Sequence, residues 1–415
     1  MRRFPHVLVA MLVLALAVAA AAGAGHRATT TLHFSTQQGS SDVVFEALAS
    51  NFHKAYPDIE IKMDYYPLVS YQQTLLTQLQ AGNAADIIFG NGGSGQLYGF
   101  LELAKAGRLA NLAGAPWVKR IPPTGKPLYT TGNKVWGLPL GYVIVGLMYD
   151  KQQYAALNLK IPQTFGQLLN ICKVARANGK AAFSIAGTAF PNVGIWLQMI
   201  ASSTVYAKDP NWTQKRLAGK VTFQNSDWRL AITEFKQMVD NGCFQDGAAG
   251  GTIQANWSNT ASGRTLGLGG PASVIPSVVG IKPDIQMGIY PFPGPTAAMT
   301  RATVGLADGI AVNAASPHIA EAKKFLNFVA REGQSRIWPH ILRGISLSDA
   351  NTGKVPPEAI AFKPYLQAKK TVSLANLLFP NGNVYIQMGT QAQGLLTGQT
   401  TVDDVLKGLD TNWGS

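Results

Sequence analysis

The chain is 415 residues long, 47% hydrophobic and 14% charged, with a formal net charge of +13. It is too apolar for a disordered chain and too mixed for a polytopic membrane protein, and at roughly 150 residues per domain it has room for two or three domains. The basic surplus is scattered, with no run of five Lys or Arg, so it reads as solubility and attraction to anionic surfaces rather than as a nucleic-acid groove.

The first element reads as an export signal over residues 1–24. Met1-Arg2-Arg3 is basic, Val7 to Ala22 is unbroken apolar sequence, and Ala22-Gly23-Ala24 closes it with small residues. That order predicts cleavage and a periplasmic or secreted destination. The apolar run falls short of the roughly 20 residues a bilayer requires.

Thr31 to Phe34 then alternates like a strand, and a polar loop through Ser40 leads to a helix capped by Ser41 or Asp42. That helix runs to about Tyr56, with Val44, Leu48 and Phe52 on one face. Pro57 stops it, Ile59 to Met63 forms the next strand, Tyr71 to Gln80 the next helix, and Ala85 to Phe89 a buried strand. Strand and helix alternating in this way predict an α/β lobe with a largely parallel sheet.

Gly90-Asn91-Gly92-Gly93-Ser94-Gly95 matches the G-x-G-x-x-G fingerprint, but it follows the third strand, not the first. No Asp or Glu lies between Gly107 and Pro123 to hold a ribose. No nucleotide cofactor is expected. The segment reads instead as a mobile turn at a strand's carboxyl end, where glycine lets a ligand approach the main chain. Cys172 and Cys243 are the only cysteines and form either one disulfide or two buried thiols, and the six His show no metal-ligand spacing. Gly137 to Asp150 reads as one long apolar strand, Lys151 to Leu157 as a helix, and Thr164 as the cap of a helix through Ala177.

Several short motifs occur in a fixed order: Tyr56-Pro57-Asp58-Ile59, Leu79 to Ile87, Gly137-Leu138-Pro139 to Tyr149-Asp150, and Pro162-Gln163-Thr164-Phe165. Leu268-Gly269-Gly270-Pro271, Tyr290-Pro291-Phe292-Pro293, Ala311 to Leu326 and Gly398 to Leu406 continue the order. In these the chain resembles the extracellular solute-binding proteins of ABC sugar importers, the maltose-binding-protein-like family, over nearly its whole length after the leader. It departs from the family pattern at Asp150, Phe165 and Ala272, and in the glycines after the third strand.

The resemblance implies an α/β, two-lobed periplasmic-binding-protein-like fold (type II), with the ligand cleft between lobes joined by a hinge. Lobe one would be residues 30–141 plus 309–342, and lobe two 146–304 plus 346–415, with crossings near 141–145, 305–308 and 343–345. It further implies a carbohydrate ligand, mono- or oligosaccharide, and delivery to ABC transporter permease subunits by a monomer. No catalytic residue, cofactor or metal is expected.

Sugars present hydroxyls and flat C–H faces, so their sites combine planar polar groups with aromatic plates. The candidates are Gln37 and Gln38 after the first strand, Asn91 and Gly92 after the third, and Tyr142 at the first crossing. Trp196 is expected to open the helix after Phe190-Pro191-Asn192, and Trp257, Gly270, Asp308 on the second crossing and Tyr385 complete the set. The same scaffold could instead bind an organophosphate such as glycerol 3-phosphate or another small anion, or ferric iron through Tyr65, Tyr66 and Tyr71. A secreted hydrolase is a more distant alternative, since no G-x-S-x-G, H-E-x-x-H or P-loop is present.

Overall fold

Alternation of apolar and polar residues dictates the first strands. In Ile59-Glu60-Ile61-Lys62 the isoleucines are buried and the charged residues exposed, whereas Ile87 to Asn91 is buried on both faces, as a central strand of a covered sheet requires. The computed structural model describes residues 29–414 apart from Ser40, Leu68, Val69 and Asn351. The export-signal reading of residues 1–24 lies outside the described residues.

In chain order the strands are β1 (Thr30–Gln37), β2 (Ile59–Tyr66), β3 (Ile87–Asn91), a small hairpin of β4 (Thr130–Thr131) and β5 (Lys134–Val135), and β6 (Leu138–Pro139). After them come β7 (Val143–Asp150), β8 (Ala181–Ser184), β9 (Thr265–Pro271), β10 (Met287–Tyr290), β11 (Ala302–Gly305), β12 (Asp308–Val312) and β13 (Thr371–Val372). One sheet has the order β2-β1-β3-β12-β6; the other runs β13-β11-β7-β9-β8, with β10 also paired to β7. In the first sheet β1 is parallel to β2 and β3, joined through helices Asp42–Ala55 and Tyr71–Ala81, while β12 returns antiparallel to β3. The fold is mixed α/β, as the alternation predicts.

The long strand expected over Gly137 to Asp150 is two strands in two sheets. Gly141 takes φ 153° and Tyr142 exchanges backbone hydrogen bonds with Ile345, so the chain leaves the first sheet after β6 and enters the second at β7. Only Leu306 and Ala307 separate β11 from β12, which lie in different sheets. The cores differ in character. Phe34, Phe45, Phe52 and Phe325 pack edge to face behind the first sheet, with centroids 4.7 to 6.1 Å apart. Beside the second sheet Trp212, Phe223, Trp228, Phe379 and Trp413 form one aromatic nest. Cys172 and Cys243 are joined in a disulfide.

Candidate binding cleft

The end of β3 and the start of β12 build the centre of the site. These strands pair with Asn91 opposite Asp308, and the Asn91 amide donates from Nδ2 to Asp308 Oδ1 at 2.9 Å. Tyr129 supports the same corner, its hydroxyl donating to the carbonyls of Ala307 and Asp308 at 3.2 and 3.0 Å. Burial pushes the Asp308 carboxyl up to about 7, against the lowering effect of the Asn91 bond. A carboxyl poised near neutrality can donate or accept a hydrogen bond.

Tyr98, buried in the first body, has its ring centroid 5.9 Å from that of Tyr71 and 6.4 Å from that of Phe89. Burial pushes its phenol well above the ordinary range, and Asp308, Tyr71 and Tyr385 lie close enough to push it further. Tyr385 sits in helix Gly382–Thr397, which packs on helix Phe190–Ser203, and its hydroxyl donates to the Pro191 carbonyl at 2.9 Å. Along the first sheet's edge, Gln37 pairs with Tyr66, and Tyr66 lies 6.0 Å from Tyr71. The Tyr71 hydroxyl is spent on the Ser35 and Phe89 carbonyls. Thr36 Oγ1, Gln72 Oε1 and Asn376 Oδ1 are buried without a hydrogen-bond partner, and buried polar atoms are satisfied in the great majority of cases.

The ten sequence candidates fare differently. Asn91 and Asp308 are bonded to each other, whereas Tyr385 is buried on the second body, packed on Phe190 and bonded to the Pro191 carbonyl. Gln37 is half-buried at the end of β1, while Gln38 is exposed. Tyr142 and Trp257 are both half-buried and pack on one apolar cluster around Ile144, Met148, Leu268 and Ile345. Gly270 is buried near the end of β9 at φ 151°.

Two candidates need correction. Trp196 does not open a helix; it lies in the middle of one, fully buried, its ring 5.5 Å from Phe183 and 5.0 Å from Phe244. It is a core residue, and Gly269 is glycine because a Cβ there would come within 2.5 Å of the indole. Gly92 has no bare N–H to offer: it donates to Ala307, and the Tyr129 ring covers the place a side chain would take. The turn around it is packed, not mobile, because Gly93 donates to Leu128 and Ser94 to Leu377. The tyrosines considered for iron do not converge either. Tyr65 donates to Glu46, and the adjacent Tyr66 points to the opposite face of its strand.

The sequence analysis did not single out Tyr98 and Tyr129, which are buried beside this corner, Tyr129 holding the Ala307 and Asp308 carbonyls. Their signal was the density of tyrosines after strand ends, which alone does not separate cleft from core. A cavity of about 430 Å³ lies elsewhere, lined by Trp117, Arg120, Leu140 and Trp338 among others, and none of the ten candidates borders it.

Two α/β bodies joined by crossing segments, with the turn after β3 of one docked on the 375–382 segment of the other, make a two-lobed fold of the binding-protein kind. Residues 36–335 match the family described as bacterial extracellular solute-binding protein, and the chain belongs to that family. The multiple sugar-binding protein of Streptococcus mutans is 22% identical over 306 residues, 72% of this chain and 70% of that protein. The fold is shared with a sugar transporter from Bacillus licheniformis solved with stachyose (TM-score 0.74, 20% identity, 92% and 99% of the two chains). It is shared too with an ABC transporter solute-binding protein from Thermotoga lettingae bound to α-D-tagatose (TM-score 0.72, 17% identity, 92% and 98%). Among the described residues no helix is long and apolar enough to cross a membrane.

Proposed function

We propose that the chain captures a neutral carbohydrate between its lobes, outside the cytoplasmic membrane, and hands it to the permease subunits of an ABC importer. The lobes are residues 30–141 with 309–342 and residues 146–304 with 346–415, and the protein acts as a monomer. The carrying observation is the polar corner where β3 meets β12: Asn91 and Asp308 offer an amide and a carboxyl near neutrality, braced by the Tyr129 hydroxyl, and neither is a cation. Such groups match hydroxyls, which both donate and accept, whereas a phosphate ester calls for cationic donors. The sugars named for the similar proteins support the same reading.

The mechanism is reversible. An open form admits solute, the solute bridges both lobes, and the closed form is what the permease reads. Solute favours closure only through better binding to the closed form, and no bond is made or broken. Thermal shift across a carbohydrate panel, with glycerol 3-phosphate alongside, tests the reading. A rise in melting temperature with a sugar is expected, and a response to glycerol 3-phosphate alone overturns it.

A further inference from the structure

The glycine-rich turn after β3 does not face an open cleft. It is docked onto the opposite body. Ser94 N–H donates to the Leu377 carbonyl at 3.0 Å, and Ser94 Oγ donates to the Phe379 carbonyl at 2.5 Å. The approach is so close that a Cβ on Gly93 would lie 1.8 Å from Leu377 O, and one on Gly95 1.5 Å from Asn376 O. Gly382, at the start of the following helix, likewise abuts the main chain of Gln96 and Leu97. The 375–382 segment belongs to the second sheet's body, because Asn376 N–H donates to Gln198 and Phe379 packs on Phe223 and Trp413. Main chain therefore meets main chain across the lobes, directly beside Asn91.

We infer that this clasp closes one end of the cleft, so that the protein takes a saccharide of one or two rings held end-on and does not bind internal stretches of a longer chain. The inference rests on the carbohydrate reading above and adds the size of the solute. Strand order β2-β1-β3 leaves Asn91, Gln37 and Tyr66 at three successive strand ends. Strands lie about 4.8 Å apart, so the edge beyond the clasp is about 10 Å wide, the room of one or two sugar rings. A chain threading past β3 would have to break both Ser94 bonds and part surfaces that only glycine allows to meet.

The test is calorimetry on the full mature protein with xylo-, malto- and chito-oligosaccharides of one to six units, together with the parent monosaccharides. In the ladder that binds, Kd should fall about tenfold from one unit to two and then stay within about threefold up to six. Gly95→Ala places a Cβ where the Asn376 carbonyl now lies and should let affinity keep rising with length; Ser94→Ala, which removes only the hydroxyl bond, is the milder second variant. A Kd that falls with every added unit in the unaltered protein, or a ladder unchanged in both variants, overturns the inference and leaves the carbohydrate reading standing. No heat with any of these sugars, together with a thermal-shift response to glycerol 3-phosphate alone, overturns the carbohydrate reading, and the inference with it.

Discussion

At the scale of single residues, two acids pushed up by burial, the buried Glu234 and the half-buried Asp308 at the start of β12, carry a pH dependence. Burial raises Asp308 from 3.8 to about 7 and Glu234 from 4.5 to about 8. Both folded-state values lie above the unfolded ones, so folding favours the protonated forms. Their stabilising contribution is complete below about pH 4 and is lost as pH rises through 7 to 8. Glu234 is 3% exposed and its Oε2 has no partner. Glu234→Gln keeps the shape without the charge, so it should raise the melting temperature by several degrees at pH 8 and change little at pH 4, because each pKa unit is worth about 1.4 kcal/mol. Calorimetric unfolding at both pH values checks this, and equal shifts at the two would sink it. Asp308 is also bonded to Asn91, so Asp308→Asn should flatten sugar affinity between pH 5 and 8, as measured by titration calorimetry.

The scale of elements shows what the sequence could and could not disclose. The alternation in Ile59 to Met63, the Thr164 cap, which accepts from Gln167 N–H, and the helix face of Val44, Leu48 and Phe52 were legible because each depends on near neighbours. Trp196 was misread because its helix is buried at every residue from Val193 to Ser203, so no polar stripe separates core face from cleft face. The packing of the Gly92–Gly95 turn was hidden for another reason. Its partner, Phe379, lies 285 positions further along the chain. A comparable long-range fit joins helix Phe190–Ser203 to helix Gly382–Thr397, where a Cβ on Gly389 would lie 2.1 Å from the Phe190 carbonyl. Gly389→Ala should therefore destabilise the protein by about 1–3 kcal/mol, despite alanine's better helix propensity, because backbone must shift to admit it. Unchanged denaturant unfolding would show that the helix pair yields freely. The disulfide ties helix Phe165–Ala177 to the segment after helix Trp228–Asp240 across 71 positions. Replacing both cysteines with Ala should cost about 4 kcal/mol by the chain-entropy argument, seen as a lower melting temperature.

For the whole molecule, the proposed closure makes affinity depend on the gap between open and closed forms as well as on cleft contacts, so residues remote from the solute should tune it. Trp338 is the clearest such residue. It is 2% exposed and wedged behind the crossings, where a Cβ on Gly141 would lie 3.2 Å from its ring and one on Gly344 3.0 Å. Its other surroundings form the cavity of about 430 Å³ that also touches Leu140 and Leu347, one beside the first crossing and one just after the Tyr142–Ile345 bridge. In the described form the Ser94 clasp is engaged, so packing around Trp338 and docking of the turn belong to the same arrangement of the lobes. Trp338→Ala enlarges the cavity and removes the wedge. The general stability loss should be about 3–5 kcal/mol, while the specific effect is a closed form that costs more to reach. Sugar affinity should then fall several-fold although no cleft group has changed, and Trp338→Phe should restore most of it. Titration calorimetry decides between the two possible roles of the wedge. Weaker binding by Trp338→Ala means that it supports closure, and tighter binding would mean that it props the lobes apart.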